Sequence, residues 1–378
     1  MRRGFDTWRT HRYEPPASFS FIENIHTIEL GVEVGFRTRL TLTQDSYVRD
    51  HIYNGSYLFP TVFGLEAMAQ AAFYVSQKTA FSRLRLQDIR LERPIVVDPE
   101  QGVEIEIWAR VFEKKSPLEP LQVRAEIRTE RTGFTIAHFA ATLILDDQSA
   151  EVPLSTVTVP ERPLDLDPKQ DLYGWLLFQG SRFQRLKNVY RLNSKEFLFS
   201  TQVGGERAEK ETFDRADGPF LLGDPYYRDS LLQSVQPIIP QDICLPIRID
   251  RIDLYQIPRN QSCFGLAINE GREGKEYRTT VTAVNEQGEV LETLEGYQLR
   301  ILEHRGDNPT AEEIANPGQR DERRLQEQLK QSAEAFGIDA PTLALTYQPG
   351  LQNLPTSERR QQEVPLFAKT VGNFLNPS

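Results

Sequence analysis

The chain has 378 residues, of which 39% are hydrophobic and 26% charged, and its formal net charge is -10. These values are typical of a globular protein with room for two domains of about 150 residues each. The acidic charge argues against a nucleic-acid partner, which usually requires a basic face, and no apolar run approaches the roughly 20 residues that span a membrane.

The chain contains only two cysteines, Cys244 and Cys263, which are too few for a disulfide framework. We therefore expect a reducing, cytoplasmic setting. The five histidines leave little material for a zinc site, so no metal is expected.

Residues 1–18 are rich in Arg and Pro without a periodic pattern, and we interpret them as a solvated N-terminal leader. Contact between these arginines and an acidic partner is the alternative.

The segment 19–145 has the pattern of an antiparallel sheet built around one helix. Alternating apolar residues predict two strands within residues 19–42, joined by a turn at Gly31. Further strands are predicted over residues 84–97, 103–112, 121–131 and 136–145. The clean alternation within residues 103–112 indicates that one face of the sheet is covered.

Residues 50–80 contain a helix that begins near Pro60 and is apolar nearly all the way round, so it has to be buried. His51 precedes this helix, and the chain turns at Gly55 between them. A lone histidine in this place is either a capping or turn residue, or a reactive imidazole at the mouth of a dry, tunnel-like site.

Residues 146–170 are rich in Pro, Ser and acidic side chains and predict an interdomain linker. Residues 171–303 then repeat the plan of the first half. They predict strands within residues 185–203, a second central helix over residues 225–239, and strands over residues 245–257, 263–269, 277–285 and 289–302. A repeat of about 150 residues indicates a duplicated domain.

Three polar residues of the second helix, Asp229, Gln233 and Gln236, share one helical face in an otherwise apolar segment. A carboxylate in such a segment is costly to bury unless it is protonated or hydrogen-bonded. The alternative is a surface aspartate that caps the helix.

Several of these residues form motifs that resemble one enzyme family. His51, Gly55 and Pro60 reproduce the HxxxGxxxxP pattern of hot-dog dehydratases from polyketide and fatty-acid synthases, and residues 64–72 (GLEAMAQAA) look like the central helix of that fold. Asp229 and Gln233 match the D-x-x-x-(Q/H) motif of polyketide synthase dehydratases.

The context of the second helix, and residues 172–186 before it, resemble dehydratase domains of the enediyne-type iterative polyketide synthases. Residues 180–184 (GSRFQ) stand where other members carry a YGPxFQ-like sequence, and the proline is absent. The resemblance spans roughly residues 20–303. It implies an α+β, double hot-dog fold, in which two antiparallel sheets each wrap around a buried central helix.

The resemblance implies a dehydratase that converts a 3-hydroxyacyl thioester on an acyl carrier protein to the trans-2-enoyl thioester. His51 would be the general base for the C2 proton, and Asp229 would be the general acid for the departing C3 hydroxide. An apolar pocket would have to keep Asp229 protonated.

Other residues would support this reaction. Gln233 would orient the Asp229 carboxyl, and backbone N–H groups near Gly55 or the start of the first helix would bind the thioester oxygen. The remaining predicted site residues are Pro60 as a supporting residue and Tyr57, Tyr173 and Gln236 as pocket residues.

The predicted partners are an acyl carrier protein or domain, neighbouring synthase domains and a second copy of the chain. No metal or bound organic cofactor is expected, because the substrate would be carried on the phosphopantetheine of the carrier.

Glu66 is a competing acid, since it matches the position of the catalytic Glu in single-hot-dog fatty-acid dehydratases. The family implies that His51 pairs with the acid of the other half, and Glu66 would then need a histidine from the second half. The sequence has none between His138 and His304. We therefore predict one active site, formed by His51 and Asp229, and a structural, hydrogen-bonded role for Glu66.

Residues 304–378 belong to neither half. They predict a helix over residues 321–336, followed by a linker to another synthase domain or a strap docked on the hot dog. Two other functions remain open for the whole chain: a related double-hot-dog cyclase, product-template or thioesterase activity, or a catalytically silent domain that binds carrier-tethered chains.

Overall fold

The structure is a computed structural model that describes residues 19–77, 83–113, 116, 119–146, 151–204, 214–215, 220–258, 261–316, 318 and 327. The described residues up to Asn308 form one compact unit, and those from Pro309 form a second. The predicted leader at residues 1–18 and almost all of the predicted helix at residues 321–336 lie outside the described residues.

The first half of the chain has strands before and after one long helix in the sequence. In chain order these elements are β1 (Asn24–Glu29), β2 (Glu33–Leu40), β3 (Ile52–Tyr53), β4 (Ser56–Leu58), α1 (Thr61–Ser76), β5 (Arg83–Leu91), β6 (Val96–Val97), β7 (Val103–Val111), β8 (Leu121–Thr129) and β9 (Ala137–Asp146).

The second half repeats this arrangement with a shorter helix. Its elements are α2 (Pro168–Asp171), β10 (Leu186–Leu192), β11 (Glu196–Gln202), α3 (Pro225–Gln233), β12 (Asp242–Leu254), β13 (Ser262–Glu273), β14 (Glu276–Val284) and β15 (Val290–His304). The second unit contains α4 (Ala311–Ala315), which begins with a capping box formed by Thr310 and Glu313.

Twelve of the described strands form one antiparallel sheet in the order β1-β2-β7-β8-β9-β5-β12-β15-β14-β13-β11-β10. The first six belong to the first half and the last six to the second. Strands β5 and β12 join the halves, where Ile89 pairs with Ile249 and Leu84 with Leu254. The two predicted sheets are therefore continuous, because the inner edge strand of each half uses its free backbone groups to pair with the other.

Helix α1 is the buried centre of the first half, as the sequence predicted. Every residue from Val62 to Val75 is buried. Gly64 lets the helix approach the sheet, since a Cβ at this position would lie 2.5 Å from the Phe139 ring. The helix ends at Gln77, whose φ of 59° is left-handed.

Proline shortens two of the predicted elements. The second central helix was predicted over residues 225–239, but α3 ends at Gln233 and a separate 3₁₀ turn follows at Gln236–Ile238. Pro237 has no N–H to donate to Gln233, and its ring would clash with that carbonyl in a continuous α-helix. Pro94 likewise divides the strand predicted over residues 84–97 into β5 and β6.

A capping aspartate and a proline mark the start of helix α3. The Asp224 carboxylate accepts hydrogen bonds from the N–H groups of Tyr226 and Tyr227, and Pro225 occupies the first turn. None of the helices in the described part of the chain is long and apolar enough to cross a membrane.

Candidate active site

His51 is held by a two-residue hairpin that forms directly after it. Asn54 and Gly55 connect β3 to β4 with φ angles of 47° and 75°, the left-handed pair of a type I′ turn. The turn brings Leu58 back to His51, so that the Leu58 N–H donates to the His51 carbonyl at 3.0 Å. Gly55 therefore supports the site by allowing this turn.

The same hairpin orients the imidazole ring. His51 Nδ1 lies 3.1 Å from the carbonyl oxygen of Leu58. A carbonyl oxygen can only accept, so Nδ1 carries the proton and Nε2 has the free electron pair. The rings of Phe178 and Phe183 lie 4.9 Å and 5.4 Å from the imidazole. Burial lowers the pKa of His51 to about 4, and the imidazole is neutral at pH 7.

Asp229 lies on α3 with 4% of its surface exposed. Its Oδ2 atom accepts a hydrogen bond from Gln233 Nε2 at 2.6 Å. Burial raises the pKa of Asp229 to about 7, although the bond from Gln233 opposes the shift. A substantial fraction of Asp229 is consequently protonated at neutral pH and able to donate.

Gln233 is fixed by two further residues. Its Nε2 also donates to the carbonyl oxygen of Phe183 at 3.1 Å, and its Oε1 accepts from the hydroxyl of Tyr173 at 2.8 Å. Because the Phe183 ring contacts the His51 ring, the same residue supports both groups. The predicted orienting role of Gln233 thus has a geometric basis.

His51 and Asp229 line one cavity of about 310 Å³. Gln233 and Gln236 line it as well, the latter from the 3₁₀ turn after α3. Aromatic residues that were not predicted from the sequence also line the wall, among them Tyr53, Trp175, Phe178 and Tyr297. No local motif marks these residues.

Two of the predicted pocket residues do not line this cavity. Tyr57 lies on β4 beside the wall residue Leu58 but is not itself among the residues that line the cavity. Tyr173 does not line it either, but its hydroxyl contacts the wall residue Gln233 at 2.8 Å. The lining of this cavity therefore gives no support to the pocket role predicted for these two tyrosines.

Pro60 is the residue before α1, with extended backbone. Its carbonyl accepts from the N–H groups of Phe63 and Gly64, each at 3.1 Å. The first-turn amides left for a ligand are those of Thr61 and Val62, and Thr61 lines the cavity.

The loop that carries the GSRFQ sequence ties the second half to the segment before His51. The Gly180 N–H donates to the Asp50 carbonyl at 2.7 Å, and Arg182 Nε lies 3.3 Å from Asp50 Oδ2. A Cβ at position 180 would lie 2.5 Å from Asp50 Oδ1, so glycine is required for this approach. The base is therefore braced from the half that carries the acid.

Glu66 is 1% exposed and makes structural contacts. Its two carboxylate oxygens accept from the N–H groups of Leu221 and Leu222 at 2.8 and 2.9 Å, and Gln70 Nε2 donates to it at 2.9 Å. Glu66 is not among the residues that line the cavity. These contacts fit the structural, hydrogen-bonded role predicted for it.

Two family models match the sequence. One, described as polyketide synthase dehydratase domain, matches residues 23–119, and the other, polyketide synthase dehydratase N-terminal domain, matches residues 150–309. The first range contains His51 and the second contains Asp229. No protein with a curated description matches the chain.

Solved structures show the same architecture. The dehydratase domain from the CurF module of curacin polyketide synthase is 16% identical, with a TM-score of 0.59 over 76% of this chain and 100% of that chain. The dehydratase domain of a mycocerosic acid synthase-like synthase is 14% identical, with a TM-score of 0.57 over 76% and 98%. The dehydratase domain of RzxB from Pseudomonas fluorescens is 14% identical, with a TM-score of 0.57 over 74% and 98%. This likeness confirms the predicted double hot-dog fold.

Proposed function

The chain belongs to the family of polyketide synthase dehydratase domains, and we propose that it dehydrates a 3-hydroxyacyl thioester with His51 as general base and Asp229 as general acid. The overall reaction is that of a hydro-lyase in polyketide biosynthesis. The observation that carries the assignment of residues is electrostatic: in one cavity, burial lowers the pKa of His51 to about 4 and raises that of Asp229 to about 7. Opposed shifts of this kind support His51 as the base and Asp229 as the acid.

The proposed reaction moves two protons. His51 Nε2 takes the proton from C2, and the electron pair left behind forms the C2–C3 double bond. The C3–O bond breaks as Asp229 donates its proton to the departing oxygen, and water is released. The Asp229 carboxylate formed in this step then favours the imidazolium of His51 electrostatically, which assists a base of otherwise low pKa.

The negative charge that develops on the thioester oxygen requires a donor. We place the Thr61 N–H in this role, because it belongs to the first turn of α1, where the helix dipole also favours negative charge. Gly55, the alternative source expected from the sequence, is at the tip of the β3–β4 turn and does not line the cavity.

The substrate and partners are part of the proposal. We infer that the acyl chain arrives on the phosphopantetheine of an acyl carrier protein or domain, within a synthase whose other domains are neighbours. The proposed proton transfers use only side chains, so the proposal includes no metal or organic cofactor. A homodimer, a cytoplasmic location and the enediyne-type assignment stay predictions.

Mass spectrometry of a 3-hydroxyacyl pantetheine thioester incubated with the protein tests the proposal. The unaltered protein should remove one water, and His51→Ala and Asp229→Asn should each slow this about 10²- to 10⁴-fold. Release of a free acid or a cyclised product would instead indicate a thioesterase or cyclase, and carrier binding without turnover would indicate a silent binding domain.

A further inference from the structure

Strand β15 changes the face that it presents to the core at Gly296. Against β14, Leu294 pairs with Val281 and Tyr297 pairs with Thr279, so two residues of β15 lie opposite one residue of β14. This is a β-bulge, which re-aims the side chains that follow it. Without the bulge, the alternation that buries Leu294 would place Tyr297 on the opposite face.

Only glycine fits at the centre of this bulge. Gly296 has a φ of 61°, and a Cβ there would lie 2.3 Å from Asp250 Oδ2 and 2.6 Å from Arg278 Nη2. The strand therefore departs from regular pairing at one residue that cannot carry a side chain. The result of this departure is that Tyr297 points inward.

The Tyr297 side chain is 1% exposed and lines the same cavity as His51 and Asp229. The backbone carbonyl of Tyr297 accepts from the Thr279 hydroxyl at 2.9 Å, but no atom of the described residues hydrogen-bonds to the Tyr297 hydroxyl. A buried hydroxyl normally has a partner, so a free one in a wall suggests a partner from the ligand.

The Tyr297 hydroxyl is also suited to donate. Burial raises its pKa well above the usual range, and the charge of Asp229 raises it further. The phenol therefore keeps its proton throughout the reaction. Asp229 and Tyr297 line the same cavity, the first from α3 and the second from β15.

We propose that Tyr297 is a third catalytic residue, whose hydroxyl donates a hydrogen bond to the 3-hydroxyl oxygen of the substrate beside Asp229. As the C3–O bond breaks, its electron pair goes to the oxygen, Asp229 supplies the proton and Tyr297 stabilises the growing negative charge without losing its own proton. This inference rests on the proposed dehydration.

Single-turnover kinetics of Tyr297→Phe test the kinetic role. The substitution keeps the ring and removes only the hydroxyl, and we expect the single-turnover rate constant of dehydration at saturating substrate to fall about 10- to 100-fold. Tyr227→Phe is the matched control, because Tyr227 is also 1% exposed with an unpartnered hydroxyl but does not line the cavity. Equal rates for both variants would overturn the inference.

A binding comparison separates this inference from the proposed function. In a His51→Ala background, affinities are measured for a 3-hydroxyacyl pantetheine thioester and for the saturated acyl thioester of equal length. Tyr297→Phe should weaken binding of the hydroxylated ligand about 5- to 10-fold and leave the saturated one unchanged. Equal losses for both ligands would reduce Tyr297 to a packing residue. Absence of dehydration by the unaltered protein would refute the proposed function, while the binding comparison would still report on Tyr297.

Discussion

The Nδ1 atom of His51 lies 3.1 Å from the carbonyl oxygen of Leu58, on the opposite strand of the same short hairpin. The base is thus oriented by the β3–β4 hairpin, which follows it directly in the sequence. The acid is oriented differently, since Asp229 depends on Gln233, which is held in turn by Tyr173 and Phe183. Disturbing each support should therefore change a different property of the enzyme.

The pH dependence of kcat/KM should have two limbs. The base must be unprotonated, so activity should appear as pH rises through the His51 pKa of about 4. The acid must be protonated, so activity should be lost as pH rises through the Asp229 pKa of about 7. Initial rates with a soluble pantetheine thioester across this range measure both limbs. Activity that keeps increasing well above pH 7 would contradict the assignment of Asp229 as acid.

Gln233→Leu should move the upper limb to higher pH. The hydrogen bond from Gln233 lowers the pKa of Asp229, so its removal should raise that pKa further. The rate below pH 7 should fall about 10-fold, because the carboxyl is no longer held in position. Gln236→Leu is the control, since Gln236 lines the same cavity but donates to the carbonyls of Ile239 and Asp242. If the upper limb of the pH profile of Gln233→Leu stayed at the same pH as in the unaltered protein, this result would contradict the orienting role.

Glu66→Ala should destabilise the protein without disabling its chemistry. The substitution leaves the buried N–H group of Leu222, the neighbouring N–H of Leu221 and the Gln70 amide without an acceptor, which should cost about 3 kcal/mol in the free energy of unfolding. Urea denaturation measures this cost, and kcat of the folded fraction should stay within about 3-fold. A stable variant that has lost about 100-fold in kcat would instead make Glu66 the acid.

Gly180→Ala should affect the base from the other half of the chain. The new methyl group would lie 2.5 Å from Asp50 Oδ1 and 2.9 Å from its Cβ, so the residue before His51 must move. We expect a loss of about 1–3 kcal/mol in stability, together with a lower kcat. Gly306→Ala serves as control, because the atom nearest to its new methyl group would be His304 Nε2, at an ordinary contact distance of 3.5 Å. Unchanged kcat in Gly180→Ala would show that His51 does not depend on this brace.

The features that the sequence predicted well depend on local pattern. The all-round apolar composition of residues 62–75 required a buried helix, and the spacing from His51 to Gly55 fits a short hairpin with a left-handed turn. The apolar surroundings of Asp229 on α3 indicated that its carboxyl would be held protonated, and its raised pKa agrees.

The features that the sequence did not predict depend on contacts between distant residues or on a single exception to a period. The Asp50–Gly180 contact joins residues from different halves and leaves no periodic signal. A bulge at one glycine reverses the alternation of β15, so that a strict period of two would assign Tyr297 to the wrong face. Proline also ended α3 earlier than the apolar pattern suggested.

The pairing of β5 with β12 joins the two halves through the backbone hydrogen bonds of their inner strands. A half of the chain produced alone would expose that inner strand along its whole length and would tend to capture a second copy of itself through it. Because both halves belong to one polypeptide, this pairing is permanent, and the two paired halves need not be identical in sequence. Each half can then carry a different functional group, and this chain has its imidazole in one half and its acid in the other.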